Sequence, residues 1–220
     1  MVSLQGGPQA HHIMDGAKIR LSKEEWTLVM DPGWILTKNS VMEKVGALFA
    51  GLSVKLRAAY PFHAEGFFHV EGLPLNWATP KISKGENYKG LPYMVLDYPR
   101  AFGREDVFAV RTLFWWGHYF SVTLHLKGRY ETLFLPVIRE RMAELAVAGF
   151  HINISEDEWR HEMNSENYRP LRADTDMTLL KEHKFLKLSA GLSLDRWDEA
   201  DSVLLELFRV LMEVLLTGSL

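Results

Sequence analysis

Residues 107–127 read VFAVRTLFWWGHYFSVTLHLK. β-Branched and aromatic residues fill both halves, Gly117 interrupts them and Gly128 closes the run, which is the pattern of a β-hairpin. In the second half, Phe120, Val122, Leu124 and Leu126 alternate with Tyr119, Ser121, Thr123, His125 and Lys127. Successive strand side chains point to opposite faces, so this strand has one apolar and one polar face. The first half is apolar at almost every position, and the hairpin register decides its faces. A two-residue Gly117-His118 loop sets Arg111 opposite Leu124 on the apolar face. A guanidinium there needs a carboxylate, because an unpaired buried charge is costly. Asp97, on the preceding strand, is the nearest candidate. A loop of odd length, or a bulge, swaps the faces. Arg111 then joins Tyr119, Ser121, Thr123 and His125 beside Trp115, a polar, aromatic-walled patch suited to an anionic or aromatic ligand.

Upstream, residues 93–98 form a strand bounded by Pro92 and Pro99. Residues 62–92 are irregular, with a short strand candidate at 67–70. Within them, 81–90 is a basic, Gly-containing loop. Lys84, Asn87 and Tyr88 there could offer donors and a ring to phosphate or carboxylate, although the spacing matches neither a P-loop nor a dinucleotide fingerprint. Downstream, Pro136 suits the first turn of a helix with Ile138, Met142, Leu145 and Ala146 buried and Gly149 at its C′ position. Phe150, Ile152 and Ile154 alternate with polar residues as a half-buried strand. Residues 155–176 are charged and irregular, and the acidic run Glu156, Asp157, Glu158 reads as solvated. A further strand is expected at 185–194.

Helices flank this β region. Ser22 and Glu25 form a capping box, and Asp31-Pro32-Gly33 stops the helix it opens. Ser40 and Glu43 repeat the spacing and open an amphipathic helix over 40–60, with Val41, Val45, Leu48, Leu52, Leu56 and Ala59 inward. Gly46 and Gly51 inside it each cost about 1 kcal/mol against Ala, which close approach of another element would explain. Asp195 caps the last helix, over about 196–216. Its polar stripe is narrow (Ser202, Glu206, Arg209, Glu213), so it is either the central core helix or part of a subunit interface. The expected class is α+β. Residues 22–220 form a single domain, a mainly antiparallel sheet with the central hairpin packed by helices, and 1–21 are a loose N-terminal segment.

The 220 residues are 47% apolar and 24% charged, enough to bury a core without staples and too apolar for intrinsic disorder. With no Cys, disulfides, thiolate nucleophiles and Cys-ligated metals are excluded. The net charge of −3 is no duplex-binding footprint, and residues 81–111 hold six basic and four acidic groups, too balanced for a nucleic-acid groove. Nine His show no HExxH and no i, i+4 pair, so no metal and no other cofactor is expected. No G-x-S-x-G elbow exists, and no catalytic residue is named. There is no secretory h-region and no span of 18 uncharged apolar residues, so neither a membrane nor an export signal is expected, and the cytoplasm is the default location. Three readings follow. The first is a small-molecule binder at the central hairpin. The second is an interaction or homodimeric module using the apolar C-terminal helix. The third is an enzyme of unidentified chemistry using Arg111 and His125.

Overall fold

The computed structural model describes residues 20–64, 67–68, 70, 72–74, 76–173 and 184–217. Most of the N-terminal segment, with His11 and His12, and also His69, lies outside the described residues. The chain divides into two compact units, residues 1–41 and 42–220.

In the first unit, helix α1 (Lys23–Met30) opens with the expected capping box. Ser22 Oγ accepts the Glu25 N–H at 3.1 Å, and the Glu25 carboxylate accepts the Ser22 N–H at 2.6 Å. Asp31 ends α1, and its carboxylate accepts the Gly33 N–H at 2.7 Å. The same Asp31-Pro32-Gly33 turn therefore starts helix α2 (Gly33–Ala59), so Ser40 lies inside a helix rather than capping one. An Asp that accepts a free first-turn N–H, followed by a Pro with preset φ, is a start signal as well as a stop. α1 buries no residue, and Trp26, Leu28, Val29, Met30, Trp34, Ile35 and Leu36 are all exposed.

The second unit begins within α2. Its buried stripe is Met42, Val45, Phe49, Leu52 and Leu56, spaced 3, 4, 3, 4. Val41 and Leu48, expected inward, sit at the edge of that stripe, and Ala59 is exposed. A Cβ at Gly46 would meet only the Met94 side chain at 3.8 Å, and one at Gly51 would meet nothing within 4 Å. No close approach explains either glycine.

The sheet has seven strands in the order β1-β2-β3-β4-β7-β5-β6. They are β1 (Lys81–Tyr88), β2 (Leu91–Phe102), β3 (Val107–Trp115), β4 (Tyr119–Lys127), β5 (His151–Asn153), β6 (Tyr168–Pro170) and β7 (Phe185–Ser193). Every neighbouring pair is antiparallel. The stretch expected as a basic loop is thus an edge strand. Lys81, Ser83 and Gly85 pair with Asp97, Val95 and Tyr93, and Lys89-Gly90, both at positive φ, make the turn. An exposed edge strand has no apolar period to betray it, and lysines on such an edge oppose pairing with other chains. β2 runs through both Pro92 and Pro99, and the register shifts between Asp97 and Arg100. Pro99 is tolerated because a bulge needs no ladder hydrogen bond from it. The described residues of 67–70 form no strand.

Helix α3 (Arg129–Glu140) starts directly after Gly128, where Asp106 Oδ1 accepts the Arg129 N–H at 2.9 Å. Pro136 therefore lies inside a helix and not in its first turn. α4 (Met142–Val147) follows, and Gly149 at φ +81° is its C′ residue as expected.

One sheet face is apolar and covered by helices. Phe108, Val110, Phe114, Phe120, Val122, Leu124, Leu126, Leu186, Leu188 and Leu192 carry it, each almost fully buried. Phe49 of α2 meets Phe120 edge-on with centroids 6.5 Å apart, and Phe134 of α3 stacks on Phe108 at 5.3 Å. A 3-10 turn (Leu194–Glu199) leads into α5 (Ala200–Thr217). There Leu204, Leu207, Phe208, Leu211, Met212, Val214 and Leu215 are buried, and Ser202, Glu206, Arg209 and Glu213 are exposed. The C-terminal helix is thus a core helix of an α+β fold, with most of its apolar side chains buried. Among the described residues, no helix is long and apolar enough to cross a membrane.

Candidate functional site

The β3–β4 register places Trp115 opposite Tyr119, so the turn is the three residues Trp116-Gly117-His118, with Gly117 at φ +74°. Odd length puts Arg111 opposite Thr123, on the face of Tyr119, Ser121 and His125. The Asp97 pairing forms as well, because Asp97 is the register partner of Arg111 on β2 and shares its face. The contact is bidentate: Nε to Oδ1 at 2.7 Å and Nη2 to Oδ2 at 2.9 Å. One rung of the sheet reads Lys81, Asp97, Arg111, Thr123, Ser189, His151, and a neighbouring rung reads Ala109, His125, Lys187.

Much of this polar face is covered, and Thr123, His125, Lys187 and Ser189 are buried. Residues 154–167 cross it as a strap, with the supposedly solvated acidic run turned inward. Glu158 Oε2 lies 3.1 Å from His125 Nε2, and Oε1 accepts from Lys127 at 2.8 Å. Lys187 is 2% exposed, and its ammonium donates to the carbonyls of Glu158 (2.8 Å) and Arg160 (2.7 Å). The Tyr119 hydroxyl donates to the His161 carbonyl and accepts the Met163 N–H, both at 2.8 Å. The Tyr88 hydroxyl donates to the Glu162 carboxylate and accepts the His161 N–H at 2.8 Å. Thr123 and Ser189 hydroxyls share a buried hydrogen bond at 2.8 Å.

Between strap and sheet lies a cavity of about 10 Å³, the space of a single water molecule. Arg111, Thr123, His125 and Lys187 line it from the sheet, and Glu158, Trp159 and His161 from the strap. Burial, reinforced by Lys187, Arg111 and Lys127, pushes His125 down to about 3. His125 is therefore neutral at pH 7, and its contact with Glu158 is a hydrogen bond to a carboxylate rather than an ion pair. Burial, then Lys187 and Arg111, hold His161 well below the ordinary histidine range. Burial first, then the Arg111 guanidinium, lowers Lys187 to about 7. Asp97 pairs with Arg111 and Glu158 with Lys127, while Asp157, Glu158 and Glu162 of the strap favour the charged form of Lys187. Among the described residues no carboxylate pairs with Lys187.

Of the residues expected at a site, Asp97, Arg111, Tyr119, Ser121, Thr123 and His125 share this face. Trp115 and Tyr88 stand at its end in an aromatic cluster. His118 stacks on Trp115 at 3.5 Å, and Tyr88 and Tyr119 meet it edge-on. Trp115 is 4% exposed, so the protein's own rings occupy the place a flat ligand would take. Lys84 and Asn87 are exposed on the edge strand β1, and the Asn87 amide oxygen accepts the Gly90 N–H at 3.2 Å. They are not brought to the cavity. Lys187, Glu158 and His161 were missed. For Lys187 a signal existed: Lys187, Ser189 and Gly191 alternate with Leu186, Leu188, Ala190 and Leu192, the same two-faced pattern as β4. Glu158 and His161 sit in irregular chain, where no period exists to read.

Among the described residues, no group of three His or carboxylate side chains is placed to hold a metal ion. The fold and site together define an α+β protein whose antiparallel sheet has a second, polar face buried beneath a strap. No protein-family model matches the chain, and no curated protein and no solved structure shows significant similarity to it.

Proposed function

We propose that the 42–220 unit binds a small anion between the strap and the polar face of the sheet. The observation that carries this reading is the buried Lys187 ammonium, which lines the cavity beside Arg111 with only carbonyl partners. An anion at that point would favour the ammonium form. The test is the thermal unfolding midpoint at fixed ionic strength while one sodium salt replaces another across chloride, formate, acetate and phosphate. At least one anion is expected to raise the midpoint saturably in the natural chain and not in Lys187→Met. A response that is the same for all anions and for both chains removes the reading.

A second reading rests on a different surface. Trp26, Leu28, Val29, Met30, Trp34, Ile35 and Leu36 fall within one short stretch of sequence and are exposed. Large exposed apolar patches mark interaction surfaces. Self-association through this surface replaces the buried C-terminal helix as the basis for a homodimer. Sedimentation velocity is expected to show a concentration-dependent species that Trp26→Ser with Leu36→Ser abolishes. A monomer at every concentration rejects it.

A further inference from the structure

We infer that the strap is a hinged lid over the polar face of the sheet, and that protons favour its open position. The inference stands apart from the anion reading, because it holds with or without a bound ion.

Topology gives the hinge. Residues 154–167 are the loop of the β5–β6 hairpin, closed at its base where the Ile154 N–H donates to the Asn167 carbonyl at 2.8 Å. Hairpin loops usually need only about two to five residues. This one folds back from β5 across β7 and β4 and reaches Tyr88 of β1 on the opposite edge strand. Long loops without secondary structure of their own are commonly lids.

The fastenings are polar and come from side chains. Among the described residues, no backbone hydrogen bond ties 155–163 to a strand. Tyr88, Tyr119, Lys127 and Lys187 hold the strap instead, and Lys89 pairs with Glu162 at 3.2 Å. Of residues 155–166 only Trp159 and Met163 are apolar, and Trp159 is 50% exposed. Lifting the strap therefore gives up little buried apolar surface and exchanges its hydrogen bonds for bonds to water. Unfolding the sheet gives up the whole helix-covered apolar face. Segments with few buried apolar contacts open at lower free energy than the core.

The proton coupling comes from three basic groups at the seam. Lys187 (β7) donates to two strap carbonyls. His125 (β4) meets Glu158 and has the Trp159 ring edge-on at 5.8 Å. His161 belongs to the strap itself, with its Nε2 3.5 Å from Arg111 Nη1. From the sheet these groups face Arg111 (β3), which Asp97 (β2) pairs, and Lys127 (β4). From the strap they face Asp157, Glu158 and Glu162, and the Arg160 side chain pairs with Asp157 at 3.7 Å. The Tyr88 and Tyr119 hydroxyls contact the strap backbone beside them. Burial is the first cause that holds Lys187 at about 7, His125 at about 3 and His161 well below the ordinary range. In water the ordinary values of about 10.4 and 6.5 return. The lifted strap thus binds one proton more at Lys187 between pH 7 and 10, and two more at the histidines below pH 6.5. Between pH 9 and 7 the opening constant should rise about tenfold for each unit of pH lowered. Opening uncovers Thr123, Lys187 and Ser189, so acidification makes available a polar sheet face that alkali covers.

The experiment is amide hydrogen exchange of the natural chain by NMR from pH 6 to 9, corrected for the intrinsic rates, with and without urea below the unfolding transition. The reporters are the N–H groups of His161 and Met163, which donate to Tyr88 and Tyr119 hydroxyls. Amides of β4 report global unfolding. Expected is strap exchange that is faster than that of β4, insensitive to urea, and increasingly protected as pH rises from 7 to 9. Lys187→Met should remove that pH dependence and leave the urea insensitivity. Tyr88→Phe, which removes one fastening, should speed Met163 exchange on the order of fivefold with less effect on β4. It keeps the test decisive should the Lys187 variant not fold. Strap amides that match β4 in rate and urea dependence overturn the lid. Strap protection that does not change between pH 7 and 9, or a pH dependence that survives Lys187→Met, overturns the proton coupling.

Discussion

Arg111→Ala is expected to cost the 42–220 unit about 3–5 kcal/mol of stability, the range for removing one member of a buried ion pair. The Arg111 side chain is 20% exposed and that of Asp97 is 7%. Both hydrogen bonds of the pair lie within the sheet, at adjacent register positions of β2 and β3. Truncation leaves the Asp97 carboxylate buried with its main partner gone, and that orphaned charge is the larger part of the cost. Adding Asp97→Asn to the same chain should therefore recover part of the loss, since the amide is neutral. Urea unfolding of the two single variants and the double variant closes the cycle, and the coupling should exceed about 1 kcal/mol. A loss below about 1 kcal/mol for Arg111→Ala would mean the pair behaves as an exposed one. The anion tests accordingly lean on Lys187, because Arg111 is needed for the fold whatever it binds.

The second large effect is on the pH dependence of stability, where Lys187 and His125 act in the same direction over different windows. Lys187 has a native value of about 7 against 10.5 for the free side chain. Between those values the unfolded chain binds the proton and the native chain does not, so stability rises with pH. Below pH 7 both states are protonated and the full cost of the buried ammonium is present, on the order of 5 kcal/mol. His125 has a native value of about 3 against 6.5. Stability is therefore lost as pH falls from 6.5 towards 3, again by an amount on the order of 5 kcal/mol. Burial raises Glu162, but the Tyr88 hydroxyl, backbone N–H groups and Lys89 outweigh it and bring the carboxyl to about 2. Its contribution is present above pH 4.5 and lost as pH falls through 2, steepening the same acid limb. At the other end, burial raises Tyr98 and Tyr119 to about 12, so stability falls again once the unfolded tyrosines ionise above pH 10. The maximum is expected at about pH 9–10, alkaline of the usual 5–8. Urea midpoints from pH 5 to 10.5 read this directly, and Lys187→Met should flatten the rise between 7 and 10. A flat profile over that interval in the natural chain contradicts the buried, unpaired ammonium.

Elements with a period were legible in the sequence, and elements without one were not. β4 and the outer stripe of α5 were readable because one face of each is apolar and the other is not. β1 was not, because Lys81, Ser83, Lys84, Glu86 and Asn87 sit on an exposed edge that requires no apolar alternation. The second start of α2 was hidden because Asp31-Pro32-Gly33 carries a stop and a start in the same three residues. Half of the candidate site could be found from strand parity alone: Arg111, Tyr119, Ser121, Thr123 and His125 belong together under one of two registers. The other half, Glu158 and His161, comes from a strap whose course depends on what it packs against.

By itself, then, the sequence determined the α+β class, the two-faced character of the central strands and the absence of any Cys-based chemistry. Those follow from residue type and from the period of two, which are local. Tertiary structure alone decided the rest. A three-residue turn chose the face of Arg111, its neighbour β2 supplied Asp97, and the 154–167 strap turned a face that looked solvated into a buried one. Each of these depends on contacts between residues far apart in the chain, and the charge of Lys187 depends on all of them, because burial sets its value and only the fold buries it.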